Sequence, residues 1–133
     1  MEIWDPLRRR NVRLTPEERV RQGVVQLLNV RCGVPMTNMA SEQGFVYNGL
    51  QYRADIIVYD KQVKPLMLVE CKSPEVTLDA AVIDQVIRYN KVLKVKFILI
   101  TNGKTSYLCR WSPESGRYEY AQEMPSYEQM LQL

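Results

Sequence analysis

The chain has 133 residues, 46% of them hydrophobic and 25% charged, which fits one globular domain and excludes collagenous, low-complexity and wholly disordered chains. It contains no histidine, so Ser-His-Asp and Cys-His catalysis and His-ligated zinc fall away together. A formal charge of +3 is compatible with nucleic acid without requiring it.

Residues 1–14 read as an irregular basic arm carrying Arg8, Arg9, Arg10 and Arg13. Thr15-Pro16-Glu17-Glu18 then opens a helix, with Thr15 as N-cap, Pro16 in the first turn and Glu18 closing a capping box. Val20, Val24, Leu27 and Leu28 form its apolar stripe, and Gly33 with Pro35 ends it. Three strands are expected at about 43–48, 52–60 and 65–72, the first closed by Asn48-Gly49. A long helix over about 78–94 places Leu78, Val82, Gln85, Val86, Tyr89, Val92 and Leu93 on one face. A buried strand Lys96–Thr101, strands at about 105–111 and 117–121 and a helix at about 126–132 complete the chain. The order α-β-β-β-α-β plus a small tail predicts an α/β or α+β fold with a mixed central sheet flanked by helices, in a single domain over 1–133 with its core at about 15–111.

The longest apolar runs, such as Ile56–Tyr59 and Phe97–Ile100, are far shorter than the ~20 residues of a membrane span. Met1 leads into Glu2, Asp5 and arginines, so no secretory leader is expected. Cys32, Cys71 and Cys109 are scattered and read as reduced thiols of a cytoplasmic protein. Gly103-Lys104-Thr105 imitates the end of a phosphate-binding P-loop, but Ile98 stands where its first glycine belongs and a strand follows. It is read as a turn, and no ATP-driven motor is expected.

The chemistry concentrates where Val69-Glu70-Cys71-Lys72 ends the third strand. Leu66, Leu68, Glu70 and Lys72 share one face, so charge appears only at the strand's end. A hairpin register of i + j = 125 would set Tyr59 against Leu66, Ile57 against Leu68 and Asp55 against Glu70. Two carboxylates so placed repel unless neutralised, and a hard divalent cation such as Mg²⁺ is the natural answer. Lys72 would then orient or deprotonate an attacking water. Charged residues at a strand end are also what a solvated rim presents, and the 60–65 loop does not fix the register. Gln85 inside the helical stripe argues for a site, because a buried amide costs ~1–3 kcal/mol unless paired.

Asp55, then Glu70-Cys71-Lys72 after 14 intervening residues, with Gln85-x-x-x-Tyr89 in the following helix, resembles the signature of the PD-(D/E)XK nuclease superfamily and the Q-x-x-x-Y motif of its RecB-like branch. Leu14-Thr15-Pro16-Glu17-Glu18-Arg19-Val20-Arg21-Gln22, Asp55-Ile56-Ile57-Val58-Tyr59-Asp60, Val69–Glu75, Tyr89-Asn90 and Thr101-Asn102-Gly103 more specifically resemble the N-terminal nuclease domain of type I restriction enzyme R subunits, in a stand-alone version. Ala54 stands where the superfamily's name has proline, a departure that removes no ligand.

The resemblance implies a restriction-endonuclease-like αβββαβ core and Mg²⁺-dependent hydrolysis of DNA phosphodiester bonds, with Mn²⁺ as a substitute metal. Asp55, Glu70 and the Cys71 backbone carbonyl would hold the metal, and Lys72 would position the water. Gln85 and Tyr89 would contribute to the site or to the DNA backbone. Glu18 is a candidate for the metal shell, and its capping-box role explains it equally well. Arg8, Arg9, Arg10, Arg13 and Arg88, with Lys91, Lys94 and Lys96, are candidate phosphate contacts, although a solvated helix face and a flexible arm explain most of them more simply. The expected partners are DNA, a separate motor or specificity protein, and a further copy of the chain; no membrane is expected. A non-catalytic DNA- or protein-binding module on the same fold remains the alternative, and RNA is not separated from DNA as substrate.

Overall fold

Strands β5 (Pro65–Cys71) and β6 (Phe97–Thr101) lie at the centre of the protein, where their apolar runs can be covered on both faces. The structure, a computed structural model, describes residues 1–47 and 49–133, apart from the side chains of Glu42, Gln43, Phe45, Tyr47, Tyr52 and Val92. Asn48 of the expected Asn48-Gly49 turn thus lies outside the described residues, as does the side chain of Val92 in the expected helical stripe.

The sheet runs in the order β3 (Met39–Tyr47), β4 (Leu50–Tyr59), β5, β6, β7 (Ser106–Ser112), β8 (Arg117–Ala121). Only β5 and β6 pair in parallel, and α2 (Ala80–Asn90) makes the crossover that such a pair requires. Helices α1 (Pro16–Gln26) and α3 (Tyr127–Gln132) cover one face. There Val20, Val24, Val25 and Leu28 meet Ile56, Val58, Met67, Val69, Phe97 and Met130. On the other face α2 sets Ile83 and Val86 against Ala54, Ile57, Leu68, Ile98 and Ile100. This is the mixed α+β sheet expected from the element order. Among the described residues, no helix is long and apolar enough to cross a membrane.

The β4–β5 register obeys i + j = 125 over Ile56↔Val69, Ile57↔Leu68 and Val58↔Met67. It then slips, and Tyr59 faces Pro65 rather than Leu66. The extra residue is a bulge, which sends Leu66 to the α1 side beside Met67 while Leu68 keeps to the α2 side.

Three further expectations are corrected. Residues 1–14 are not an irregular arm: β1 (Glu2–Asp5) and β2 (Arg10–Arg13) form an antiparallel hairpin. Its turn is held by Asp5, whose carboxylate accepts from Leu7 N at 3.0 Å and from Arg8 Nε. Helix α1 passes at Leu27–Arg31 into a π-helical turn, which rotates Leu27 outward to 39% exposure while Val25 is buried. In α2 the buried positions are Ile83, Val86 and Asn90, so Gln85 and Tyr89 are exposed and the argument from a buried amide at Gln85 fails. The period was right and the phase was not, because Ile83 and Ile87 outcompete Gln85 for the sheet.

Asp5 is fully buried, and Arg8, which it neutralises, also reaches Glu18 Oε1 at 2.7 Å. Removing one member of a buried ion pair strands the other charge, at a cost of ~3–5 kcal/mol. Asp5→Ala is therefore expected to destabilise the protein by ~3 kcal/mol in denaturant unfolding. A loss below ~0.5 kcal/mol, the range of indifferent surface changes, would show that the hairpin is a passive appendage.

Candidate active site

Hydrogen bonding between β4 and β5 ends at Ile56↔Val69, so the backbone beyond needs other partners. Asp55 supplies one: its Oδ2 accepts from Cys71 N at 2.6 Å. The expected direct pairing of Asp55 with Glu70 is thus replaced by a contact one residue further along β5. The alternation of β4 breaks at the same place, since Ala54 packs with the α2-side cluster and Ile56 with the α1-side cluster. Asp55 between them meets α1, where Arg21 Nη2 donates to Asp55 Oδ1 at 3.0 Å.

Glu70 and Lys72 complete the group. Lys72 Nζ lies 3.3 Å from Glu70 Oε2, and the Lys72 backbone N–H donates to Thr101 O at 2.8 Å, fixing the exit of β5 against β6. The three side chains retain 15% (Asp55), 23% (Glu70) and 34% (Lys72) of their exposure. All three side chains are thus half-buried rather than sealed from solvent. Burial and the Asp55 charge, with a smaller contribution from Glu17, push the Glu70 carboxyl above its ordinary value, and Lys72 partly offsets them. Two carboxylates sharing one place do this to each other.

Cys71 offers no thiolate. Its side chain is 1% exposed in the core, and burial together with the Asp55 charge drives the thiol far above its ordinary value. Only its backbone can serve a site. The Cys32 and Cys109 thiols are likewise free and buried.

Glu18 is buried, and its oxygens are taken. Oε1 accepts from Arg8 Nη2 at 2.7 Å and Arg21 Nη1 at 2.6 Å, and Oε2 accepts from Gln22 Nε2 at 2.9 Å. Burial opposes its charge, but these bonds and the two guanidinium charges hold its carboxyl below the ordinary value. Thr15 Oγ1 accepts from Glu18 N at 3.0 Å, which is one half of the expected capping box. The Glu18 side chain turns to the arginines instead of back to Thr15.

Tyr89 reaches β4 rather than the carboxylates: its Oη accepts from Arg53 N at 3.3 Å, two residues before Asp55. Gln85 is exposed one turn earlier. Of the arginines expected to meet phosphate, Arg8 is committed to Asp5 and Glu18, whereas Arg9, Arg10 and Arg88 are exposed. Arg10 and Arg13 line a cleft with Glu17 and Arg21, beside the carboxylates. A larger cavity of about 680 Å³ is lined mainly by apolar residues, among them Val20, Val24, Leu27, Leu99 and Met124, and Asp55, Glu70 and Lys72 are not part of its lining.

Arg21 and Glu17 were missed by sequence reasoning. The signal was present in Glu18, Arg21, Val25 and Leu28, spaced i, i+3, i+7, i+10 and all buried. Two charges on a core stripe require partners from another element.

Residues 16–125 match the model of the family described as type I restriction enzyme R protein N terminus. This chain belongs to that R-protein N-terminal family. The match begins at α1 and excludes the β1–β2 hairpin. Among solved structures, a fragment described as the HsdR subunit of a type I restriction enzyme from Vibrio vulnificus shares 20% identity at a TM-score of 0.62, covering 90% of this chain and 25% of that one. This R-protein N-terminal domain thus spans a quarter of that relative. A DUF820 protein from Anabaena variabilis, described as a nuclease, shares 12% identity at a TM-score of 0.56, covering 93% of this chain and 81% of that one. At such identities the likeness is one of fold, the restriction-endonuclease-like fold. No curated protein matches the sequence.

The raised Glu70 value has a consequence for stability. A carboxyl whose folded value lies above its ordinary 4.5 favours the fold most when protonated, and that contribution is lost as pH rises through the folded value. In metal-free solution Glu70→Gln should therefore be more stable than the wild type at about pH 7, with the gap closing as pH falls to ~4. Unfolding in denaturant across that range tests this, and a variant less stable than wild type at neutral pH refutes it.

Proposed function

We propose that this domain is a Mg²⁺-dependent nuclease that hydrolyses DNA phosphodiester bonds. The observation that carries the reading is the half-buried group of Asp55, Glu70 and Lys72, in which Glu70 feels the Asp55 charge and Lys72 stands 3.3 Å from Glu70. Family membership supports the same chemistry.

The donor set fits Mg²⁺, which takes one or two carboxylates and fills its shell with water and phosphate oxygens. Among the described residues no group of three or more His, Cys, Asp or Glu side chains is arranged to cage an ion. Asp55 and Glu70 would hold the metal, with the Cys71 carbonyl as a backbone donor; Glu18, occupied by Arg8, Arg21 and Gln22, is not carried into the set. When bound, the metal supplies Lewis-acid stabilisation of the developing phosphate charge and a more acidic water.

The chain's own residues do the rest. Lys72 Nζ orients the attacking water and adds a positive charge beside the scissile phosphate. The hydrogen bond from Cys71 N anchors the Asp55 carboxylate through Oδ2. Arg9, Arg10, Arg13 and Arg88 would meet flanking phosphates, and Gln85 and Tyr89 would form the α2 side of the DNA path. Work in the cytoplasm with a motor or specificity partner, or as a homo-oligomer, belongs to the same proposal.

A non-catalytic binding module is the second reading. Its specific support is the guanidinium of Arg21 already bonded to Asp55, a cation where a metal would go.

Cleavage of supercoiled and single-stranded DNA with Mg²⁺, Mn²⁺ or EDTA separates the two. Metal-dependent cutting is expected from wild type, with Asp55→Ala and Lys72→Ala each slower by ~100-fold or more. Equal cutting by folded Lys72→Ala would remove Lys72 from the mechanism. No cutting by any form, with DNA still bound, would favour the module.

A further inference from the structure

We propose that Arg21 is the resident counter-cation of Asp55, which a divalent metal must displace before Asp55 can ligate it. This deepens the nuclease reading and rests on it. Asp55 has two oxygens: Oδ2 faces Cys71 N at 2.6 Å and Oδ1 faces Arg21 Nη2 at 3.0 Å. Oδ1, the oxygen not bonded to the Cys71 N–H, is the one the guanidinium holds. Arg21 stays charged at any working pH, and its side chain is 6% exposed, so water screens its charge poorly at Asp55.

Arg21 acts on Asp55 by charge rather than by anchorage. Without it Asp55 keeps the Cys71 N–H, and Glu18 keeps Arg8 at 2.7 Å and Gln22 at 2.9 Å. Each carboxylate thus has a holder other than Arg21. The fork also has somewhere to go, since Glu17 Oε1 stands 3.6 Å from the same Nη2 and its side chain is 49% exposed. Displacement exchanges one carboxylate partner for another a short distance away, while Nη1 stays on Glu18 at 2.6 Å. Arg8 provides the control. It shares Glu18 with Arg21, and its own second partner is Asp5 on the hairpin rather than Asp55.

The test titrates Mn²⁺ alone, calorimetrically, into wild type, Arg21→Gln, Arg8→Gln and Asp55→Asn, each first shown to be folded by circular dichroism. Arg21→Gln is expected to bind Mn²⁺ about tenfold more tightly, which corresponds to ~1.4 kcal/mol. Arg8→Gln should stay within a factor of two or so of wild type, and Asp55→Asn should lose binding. If Asp55→Asn loses binding while Arg21→Gln matches or falls below wild type, the counter-cation role is wrong and the metal reading survives. Equal tightening by both arginine variants would also overturn the role, because the effect would then come from the network's net charge. If neither wild type nor Arg21→Gln binds Mn²⁺, or Asp55→Asn binds it as wild type does, the metal reading falls and this proposal with it. Should Arg21→Gln fail to fold, a crystal structure of wild type with Mn²⁺ decides. The Asp55–Arg21 contact is expected to open, and its persistence at about 3.0 Å with metal on Asp55 would refute the displacement.

Discussion

Five side chains of alternating charge, Asp5, Arg8, Glu18, Arg21 and Asp55, run in an unbroken series of ion pairs from the N-terminal hairpin through α1 to the central sheet. Four of them touch the next at hydrogen-bond distance through buried or nearly buried groups, and the charges would be prohibitive singly. Their arrangement answers a constraint set by the sheet. Pairing of β4 with β5 stops at Ile56↔Val69. The Cys71 N–H needs an acceptor there, Asp55 provides it, and an anion so deep needs a cation. Arg21 meets that need from α1, and Glu18 and Arg8 carry the neutralisation outward to the hairpin.

The same opening is what makes chemistry feasible. A fully zipped hairpin would have carried Asp55 and Glu70 as an ordinary cross-strand pair. The parted strands instead leave carboxylate oxygens and a lysine at an edge that a polymer backbone can reach. The apolar cavity under α1 is larger but offers no such edge. Glu70 pays for this position with a carboxyl pushed above its ordinary value, whereas Glu18 in the ion-pair series is held below its own. Of two glutamates near one end of the sheet, one is stabilised as a charge and the other strained as one. The strained one is the natural acceptor of a further cation.

Much of this architecture is legible in the amino-acid order. The strands ending at Tyr59, Cys71 and Thr101 show their apolar runs, and of the three pairs expected between β4 and β5, Ile57↔Leu68 forms while Tyr59 slips to Pro65 and Asp55 turns to Cys71 N. What escapes does so for physical reasons. Strands β1 and β2 have four residues each, mostly exposed, so they carry no alternation to read. They exist because Asp5 finds Arg8 and because Arg8 finds Glu18 ten residues away. In α2, Gln85 and Val86 compete for one face, and a single-residue change of phase decides whether the amide is core or surface. The π-helical turn at Leu27 exchanges Leu27 for Val25 in the core, which a fixed period of 3.6 cannot anticipate. The carboxylates and Lys72 were visible as a pattern. Arg21 was hidden because its meaning depends on a partner 34 positions away.

The two cations beside Asp55 and Glu70 differ in ways that assign their work. Arg21 is a planar fork bonded on both arms, at 2.6 Å to Glu18 and 3.0 Å to Asp55, and almost wholly buried. Both of its terminal nitrogens are engaged by protein carboxylates. Lys72 has one flexible stem, a third of its exposure and a single carboxylate neighbour at 3.3 Å. A compact ammonium on such a stem keeps donors for water and phosphate. It also lies just past the end of β5, where the Thr101 carbonyl fixes its backbone. The buried fork thus ties α1 to Asp55 on β4, while the more exposed ammonium stands beside Glu70 on β5.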